Sequence, residues 1–343
     1  MRPRREGDPR RSQRSLSGRR VLVTGAAGFL GFHLIRRLVT EGAAVSAVVR
    51  MTPHGRTKRW AADVEKAMTF CRADLTDRAA LEVVIQRVRP EYVFHLAGRV
   101  DLTRAADVAE ACLNENVLAT ANLLWSLRGM PLNAVVFTST TEVYGHNPVP
   151  YHEEQLIDPP SPYAISKMAA EHYCRFFANA YGLPTRILRL SSVYGPGQSE
   201  ARLIPSTILA IVRRSSLPVT SGEHRRDFLY VDDAVDGIMR AARALVAPGE
   251  IINVGSDRAV SVREVLQTIC RLMKTSWTPV YGGLADRINE PPVAATRWDK
   301  AKRLLGWEPT TALEDGLRAT IAAYRQRSSA RRRLALASEP VSA

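Results

Sequence analysis

With 343 residues, 45% of them hydrophobic, the chain can build one large or two smaller α/β domains. Its four cysteines (Cys71, Cys112, Cys174 and Cys270) are too few and too far apart for a disulfide scaffold or a C-x-x-C or His/Cys metal site, so free thiols in a reducing cytosol are expected. The net charge of +14 argues little for a nucleic-acid partner: residues 1–20 carry eight Arg against Glu6 and Asp8, residues 325–343 carry five Arg against Glu339, and the body between them holds only +4.

Residues 1–18 and 326–343 therefore read as basic, unstructured ends. The stretch "SGRRVLVTGAAGFLGFHLI" has the look of an export signal. Regularly spaced glycines interrupt it, Arg36 and Arg37 follow at once, and cleavage would remove a strand that the fold requires. A cytoplasmic location is expected, and no segment is long and apolar enough to span a membrane. "RVLV" (20–23) is the first strand, followed by a glycine-rich turn and the amphipathic helix "GFHLIRRLVTEG". "AAVSAVV" (43–49), "MTFCRA" (68–73), "EYVFHLA" (91–97) and "NAVVFTS" (133–139) are further strands, separated by helical stretches such as "RAALEVVIQRV" and "ENVLATANLLWSL". Nearly continuous apolar strands alternating with helices predict a Rossmann-type, doubly wound parallel sheet covered on both faces. "TRILRL" (185–190) and "EIINVG" (250–255) look like later strands of it. The dinucleotide-binding domain is expected over 19–195, with strands returning near 250–255. A smaller, discontinuous C-terminal substrate lobe is expected over 196–325, where the pattern becomes irregular and Pro-rich.

"TGAAGFLG" places Gly25, Gly28 and Gly31 directly after the first strand and at the mouth of a helix, with Phe29 and Leu30 between the last two. Glycine there lets the backbone approach a pyrophosphate seated on the helix N-terminus. The G-x-x-G-x-x-G spacing points to the short-chain dehydrogenase/reductases. NAD binders carry an acid at the end of the second strand to hold the ribose 2′-hydroxyl. Residues 42–62 contain none, but hold Arg50, Arg56, Lys58 and Arg59. A guanidinium suits a 2′-phosphate, so NADP(H) is expected ahead of NAD(H), with Arg50 as the contact. Asp74 and Leu75, after the third strand, would flank the adenine.

"SPYAISKMAAEHYCRFFANAYG" opens with Ser-Pro and continues as a helix, so Tyr163 and Lys167, four apart, share a face. An ammonium beside a phenol lowers its pKa and readies it for proton transfer. Upstream, "TSTTEVYG" (138–145) ends an apolar strand with hydroxyls, one acid (Glu142) and one aromatic (Tyr144).

Together with "VLVTGAAGFLG", "ADLTD", "PEYVFHLAG", "NENVLATANLL", "PYAISK", "RLSSVYGPG", "RRDFLYVDDA", "INVGS" and "LGWEP", these stretches resemble the extended short-chain dehydrogenase/reductases that act on nucleotide sugars, over about residues 19–325. The resemblance implies a homodimer and a nucleotide-sugar substrate. It makes Thr140 the catalytic hydroxyl, Tyr163 the acid/base and Lys167 the residue holding the nicotinamide ribose. It adds Leu96, Ala97, Gly98 and Asn116 to the cofactor shell, and Arg226 and Arg287 as a clamp on the nucleotide diphosphate. Thr141 and Ser192 fall on the substrate side. At Ser192 relatives commonly have Asn, which puts that contact in question.

The resemblance is less specific for the reaction. "S-T-x-E-V-Y-G" is similar to sugar 4,6-dehydratases, in which position 141 is Asp or Ser and the Glu is a base; decarboxylases and 4-keto-6-deoxysugar reductases carry similar runs. A net reductase must exchange its cofactor, and NADPH is the usual reductant. The expected function is therefore NADPH-dependent reduction at C4 of a dTDP- or GDP-linked 4-keto-6-deoxyhexose. A 4,6-dehydratase, a 4-epimerase or decarboxylase, and a catalytically idle nucleotide-binding interaction protein stay open as alternatives.

Overall fold

A computed structural model describes residues 15–50, 62–101, 103 and 105–337. Seven parallel strands form the central sheet: β1 (Arg20–Thr24), β2 (Ala44–Val49), β3 (Met68–Arg72), β4 (Tyr92–His95), β5 (Ala134–Thr140), β6 (Thr185–Leu190) and β9 (Glu250–Val254). They lie in the order β3-β2-β1-β4-β5-β6-β9, so the connection reverses direction between β1 and β4. All seven are the strands expected from the apolar runs. β4 and β6 are buried along their whole length, which is why they lack polar alternation.

Helices cover both faces. On one lie α1 (Phe29–Thr40) and α8 (Val231–Arg243); on the other α3 (Arg78–Val88), α5 (Ala119–Ser126) and α6 (Pro162–Tyr181). Helix α1 buries Gly31, Leu34, Ile35 and Leu38, a stripe at helical spacing. Helix α6 starts where Ser161 accepts a bond from the Ala164 N–H, with Pro162 in its first turn, and stops at Gly182 in the left-handed region.

A second layer holds a three-stranded sheet, β10-β8-β7, made of β7 (Ser192–Tyr194), β8 (Arg225–Tyr230) and β10 (Ala259–Ser261). It shares an apolar cluster with α7 (Leu203–Arg213), α9 (Val262–Met273) and α11 (Leu313–Ala337), built on residues such as Ile208, Val265, Leu317 and Tyr324. Asp227 on β8 stitches this layer to the main sheet. Its carboxylate accepts from Ser191 Oγ (2.9 Å), Ser256 Oγ (2.6 Å) and the Ser256 N–H (2.9 Å), and burial pushes its pKa up to about 6.

Three boundaries differ from expectation. Leu16, inside the supposed N-terminal tail, is 1% exposed and part of the main core, and the Gly18 N–H bonds Gly42 O. The supposed C-terminal tail continues α11 to Ala337. Helix α8 lies within the supposed substrate lobe by sequence, yet it buries Ala234, Val235 and Ile238 against the main sheet and accepts a bond from Trp307 Nε1 at Asp233 O. The four cysteines are free thiols. Among the described residues no helix is long and apolar enough to cross a membrane.

Candidate active site

The site lies at the carboxyl ends of the strands, where the order reverses, as in open α/β sheets generally. The turn after β1 leaves no room for side chains. A Cβ on Gly25, which has φ +70°, would stand 2.5 Å from Ala97 N, and one on Gly31 would stand 2.3 Å from Gly25 O. Gly28 is the N-cap of α1 without a side-chain cap bond, and the first turn carries no acid. Phe29 and Leu30 open the helix and pack on the core. A bare helix N-terminus behind a glycine cradle fits a dinucleotide pyrophosphate.

Behind the cradle runs a buried polar chain. The Ala97 N–H donates to Thr24 Oγ1 (3.3 Å), Thr24 Oγ1 meets His95 Nδ1 (2.7 Å), and His95 Nε2 meets Thr120 Oγ1 (2.9 Å). Thr120 donates its proton to Asn116 O, so His95 carries its proton on Nε2. Burial, helped by the Lys167 charge, holds the His95 pKa down at about 3. Asn116 sits in a π-helical turn, Leu113–Leu118. Its amide accepts from the Arg99 N–H (2.7 Å) and donates to Ser166 Oγ (2.8 Å), which ties the end of β4 to α6. Leu96 is partly buried against the main core.

Tyr163 and Lys167 are buried one turn apart on α6. The Thr140 hydroxyl stands near enough to the Tyr163 phenol to favour its ionised form, and Thr140 Oγ1 accepts from the Glu142 N–H (3.2 Å). Lys167 Nζ lies 4.3 Å from the centroid of the Phe137 ring. Burial brings Lys167 down to about 8. Burial and the Glu142 charge hold the phenol above its ordinary value, against the lowering expected from the four-residue spacing; the Thr140 hydroxyl and the Arg202 charge pull the other way. Ser161, the N-cap of α6, donates to Glu142 Oε1 (2.8 Å). Thr141 is buried. The structure thus brings Thr140, Glu142, Tyr163 and Lys167 together.

The same helix face continues to Glu171, four residues beyond Lys167. Glu171 accepts from Arg189 Nη2 (2.7 Å) and Nε (3.1 Å) and from Ser139, with both charged side chains 3% exposed. Arg189 lies over the Tyr144 ring, whose hydroxyl donates to Asn253 Oδ1 (2.8 Å). "TSTTEVYG" is thus fastened from below.

On the substrate side Arg226 and Arg287 converge on one carboxylate, Glu290, at 2.7 and 3.2 Å. Burial alone would raise Glu290, but the Arg226 bond and both charges hold it below the usual range. Ser192 is exposed at the start of β7. Arg50 follows directly on β2 and meets Glu115; Arg56, Lys58 and Arg59 lie outside the described residues. Asp74 Oδ1 is taken up by the Thr76 N–H and hydroxyl (2.9 and 2.7 Å), and Leu75 is buried. Glu115, Ser161, Glu171, Arg189, Arg202 and Glu290 were not expected. Two had a local signal: Ser161 through Ser-Pro at a helix start, and Glu171 through its place four residues beyond Lys167.

The sequence model of the NAD dependent epimerase/dehydratase family matches residues 21–255. A probable dTDP-glucose 4,6-dehydratase of Sinorhizobium fredii is 34% identical over 328 residues, 89% of this chain and 92% of that protein. The solved UDP-glucose 4-epimerase of Thermotoga maritima, with UDP-glucose, superposes with a TM-score of 0.82 at 30% identity, covering 90% of this chain and 99% of that one. The UDP-glucuronic acid 4-epimerase of Bacillus cereus, in complex with UDP-glucuronic acid and NAD, gives 0.80 at 28% identity, covering 90% and 99%. A strand-end glycine cradle and a Thr-Tyr-Lys cluster thus stand in a chain that matches these proteins over nearly its whole length: it belongs to the NAD-dependent epimerase/dehydratase family of nucleotide-sugar-modifying enzymes.

Proposed function

We propose that this chain moves a hydride between a nicotinamide and C4 of a nucleoside-diphosphate hexose, and inverts that carbon without expelling water: a 4-epimerase reaction. The observation that carries this reading is the composition of the cluster that Thr140, Glu142, Tyr163 and Lys167 form. Among the described residues it offers one phenol for proton transfer at a sugar oxygen and one carboxylate, Glu142, tethered by Ser161. Eliminating the 6-hydroxyl needs a base at C5 and an acid at the leaving oxygen. Position 141, beside Glu142, is a buried threonine.

The bound dinucleotide would supply the hydride acceptor and donor, with its pyrophosphate on Gly25, Gly28 and Gly31. Tyr163 exchanges a proton with the C4 oxygen in both directions. Thr140 holds the same oxygen where charge develops. Lys167, still cationic at neutral pH with a pKa of about 8, supplies positive charge one turn from the phenol. Arg226 and Arg287 grip the diphosphate, Glu290 keeping them convergent. Glu142 binds a sugar hydroxyl. Exposed apolar side chains on α5 and α6 (Trp125, Ile165, Tyr173 and Phe176) support a homodimer across that face.

A second reading, NADPH-dependent reduction of a 4-keto-6-deoxyhexose, is supported by Arg50 and by the absence of an acid from residues 42–62. One experiment separates them. Purified protein is given UDP-glucose, UDP-glucuronate, dTDP-glucose and GDP-mannose separately, and dTDP- and GDP-4-keto-6-deoxyhexoses with NADPH. An epimer of unchanged mass is expected from one of the parent sugars. Loss of one water overturns the proposal in favour of a dehydratase. Gain of two hydrogens by a keto sugar with NADPH consumed, and no epimer, puts the reductase first.

A further inference from the structure

The missing acid at the end of β2 is the sequence feature that points to NADP(H). The fold supplies an acid from elsewhere. The π-helical turn Leu113–Leu118 carries Glu115 to the end of β2, where its Oε2 lies 3.3 Å from Arg50 Nη1. Its other oxygen is 3.6 Å from Arg99 Nη1, and Arg99 Nη2 is 3.1 Å from Asp101 Oδ2. Asp74, at the end of β3, completes the group. It is held below its ordinary value chiefly by the backbone bond from Thr76, and Arg50 is close enough to add to the lowering. Among the described residues, two guanidinium groups therefore stand beside three carboxylates.

Arg50 stands a little over twenty residues past the glycine turn, at the strand end where dinucleotide folds read the 2′-position of the adenosine ribose. An arginine there recruits a 2′-phosphate only when its charge is free to meet it. Here the charge is partly met already, although Arg50 is 61% exposed, and a phosphate of about −2 would have to compete with one carboxylate while standing near another.

We propose that Glu115 is the cofactor-selecting residue: from across the groove it supplies the acid that β2 lacks, neutralises Arg50 and sets the chain's preference to NAD(H) over NADP(H). The inference rests on the family's dinucleotide site at the glycine turn, and not on the epimerase reading, which is decided by product mass.

Isothermal titration of NADH and NADPH tests it, with melting temperatures recorded alongside. Wild type is expected to bind NADH at least about tenfold tighter than NADPH. Glu115→Gln, which keeps the shape and removes the charge, should tighten NADPH about tenfold, equivalent to about 1.4 kcal/mol, and change NADH less than about threefold. Adding Arg50→Ala to Glu115→Gln should abolish that gain. Arg50→Ala alone should leave NADPH within about threefold, because Glu115 already cancels the arginine. This arm decides the matter even if Glu115→Gln folds poorly. Equal or tighter NADPH binding by wild type overturns the proposal. So does a Glu115→Gln variant of unchanged melting temperature that leaves NADPH affinity unchanged or loses both cofactors together. So does a loss of tenfold or more in NADPH affinity on Arg50→Ala alone.

Discussion

Glu171→Gln is expected to destabilise the protein strongly although Glu171 is not placed on substrate. The carboxylate takes two bonds from Arg189 and one from Ser139, and both charged side chains are 3% exposed. The substitution leaves the Arg189 charge in the core facing a neutral amide and the Tyr144 ring, with its Nη1 already lacking a partner. Breaking one side of a buried pair costs about 3–5 kcal/mol. At about 2.1 cal/mol/K of unfolding entropy per residue, a 343-residue chain has roughly 0.7 kcal/mol/K, so the melting temperature should fall by about 4–7 °C. Differential scanning calorimetry of wild type, Glu171→Gln and Glu171→Gln/Arg189→Met reads this directly. The double variant, having no orphaned charge, should recover most of the loss. A fall under about 1 °C in the single variant, or a double variant as unstable as the single, refutes the reasoning.

Tyr163→Phe should lower turnover about 10²–10⁴-fold while cofactor affinity, read by titration, stays within a few-fold; a loss of less than about tenfold removes Tyr163 from the chemistry. His95 is ordinarily near 6.5 and about 3 in the fold, so the unfolded chain binds the extra proton first. Its stability contribution is complete above pH 6.5 and is lost as the pH falls toward 3, about 2 kcal/mol of it by pH 5. His95→Gln should flatten that part of the curve, as judged from urea midpoints at pH 7 and 5. Leu16→Ala should destabilise by about 2–5 kcal/mol, whereas a neutral result in urea unfolding would show that the buried segment packs without consequence.

Strands buried on both faces announce themselves as unbroken apolar runs, and "RVLV", "EYVFHLA" and "TRILRL" could be placed for that reason. The glycine turn was equally legible, because each glycine answers to a backbone contact within a few residues or at a neighbouring strand end. Thr140, Tyr163 and Lys167 were found through motif and resemblance. Contacts between distant segments were not legible. Glu115 meets Arg50 across 65 residues, and nothing in "NENV" says which strand end it faces. Glu171 was visible as the next position on the Tyr163–Lys167 face, but its burial depends on Arg189 rising from β6. Helix α8 shows an amphipathic pattern in "VDDAVDGIMRAAR", and that pattern reports a buried face without naming the sheet beneath it. Leu16 is a single apolar residue between Ser15 and Ser17 in an arginine-rich run, too little to form a pattern.

The stitching by Asp227 and the return of α8 and β9 to the main sheet bear on how a sugar gets in and out. The two layers are laced together at Ser191, Asp227 and Ser256, and they cannot swing apart about a hinge without tearing that lacing and unseating α8. The looser part is the rim, where residues 282–289 form an exposed stretch beside the Arg226–Glu290 pair. The sugar-facing half is accordingly no interchangeable cassette. A graft of residues 196–325 from a relative would replace part of the main sheet's own core, whereas the exposed rim segment can be exchanged with the scaffold left standing.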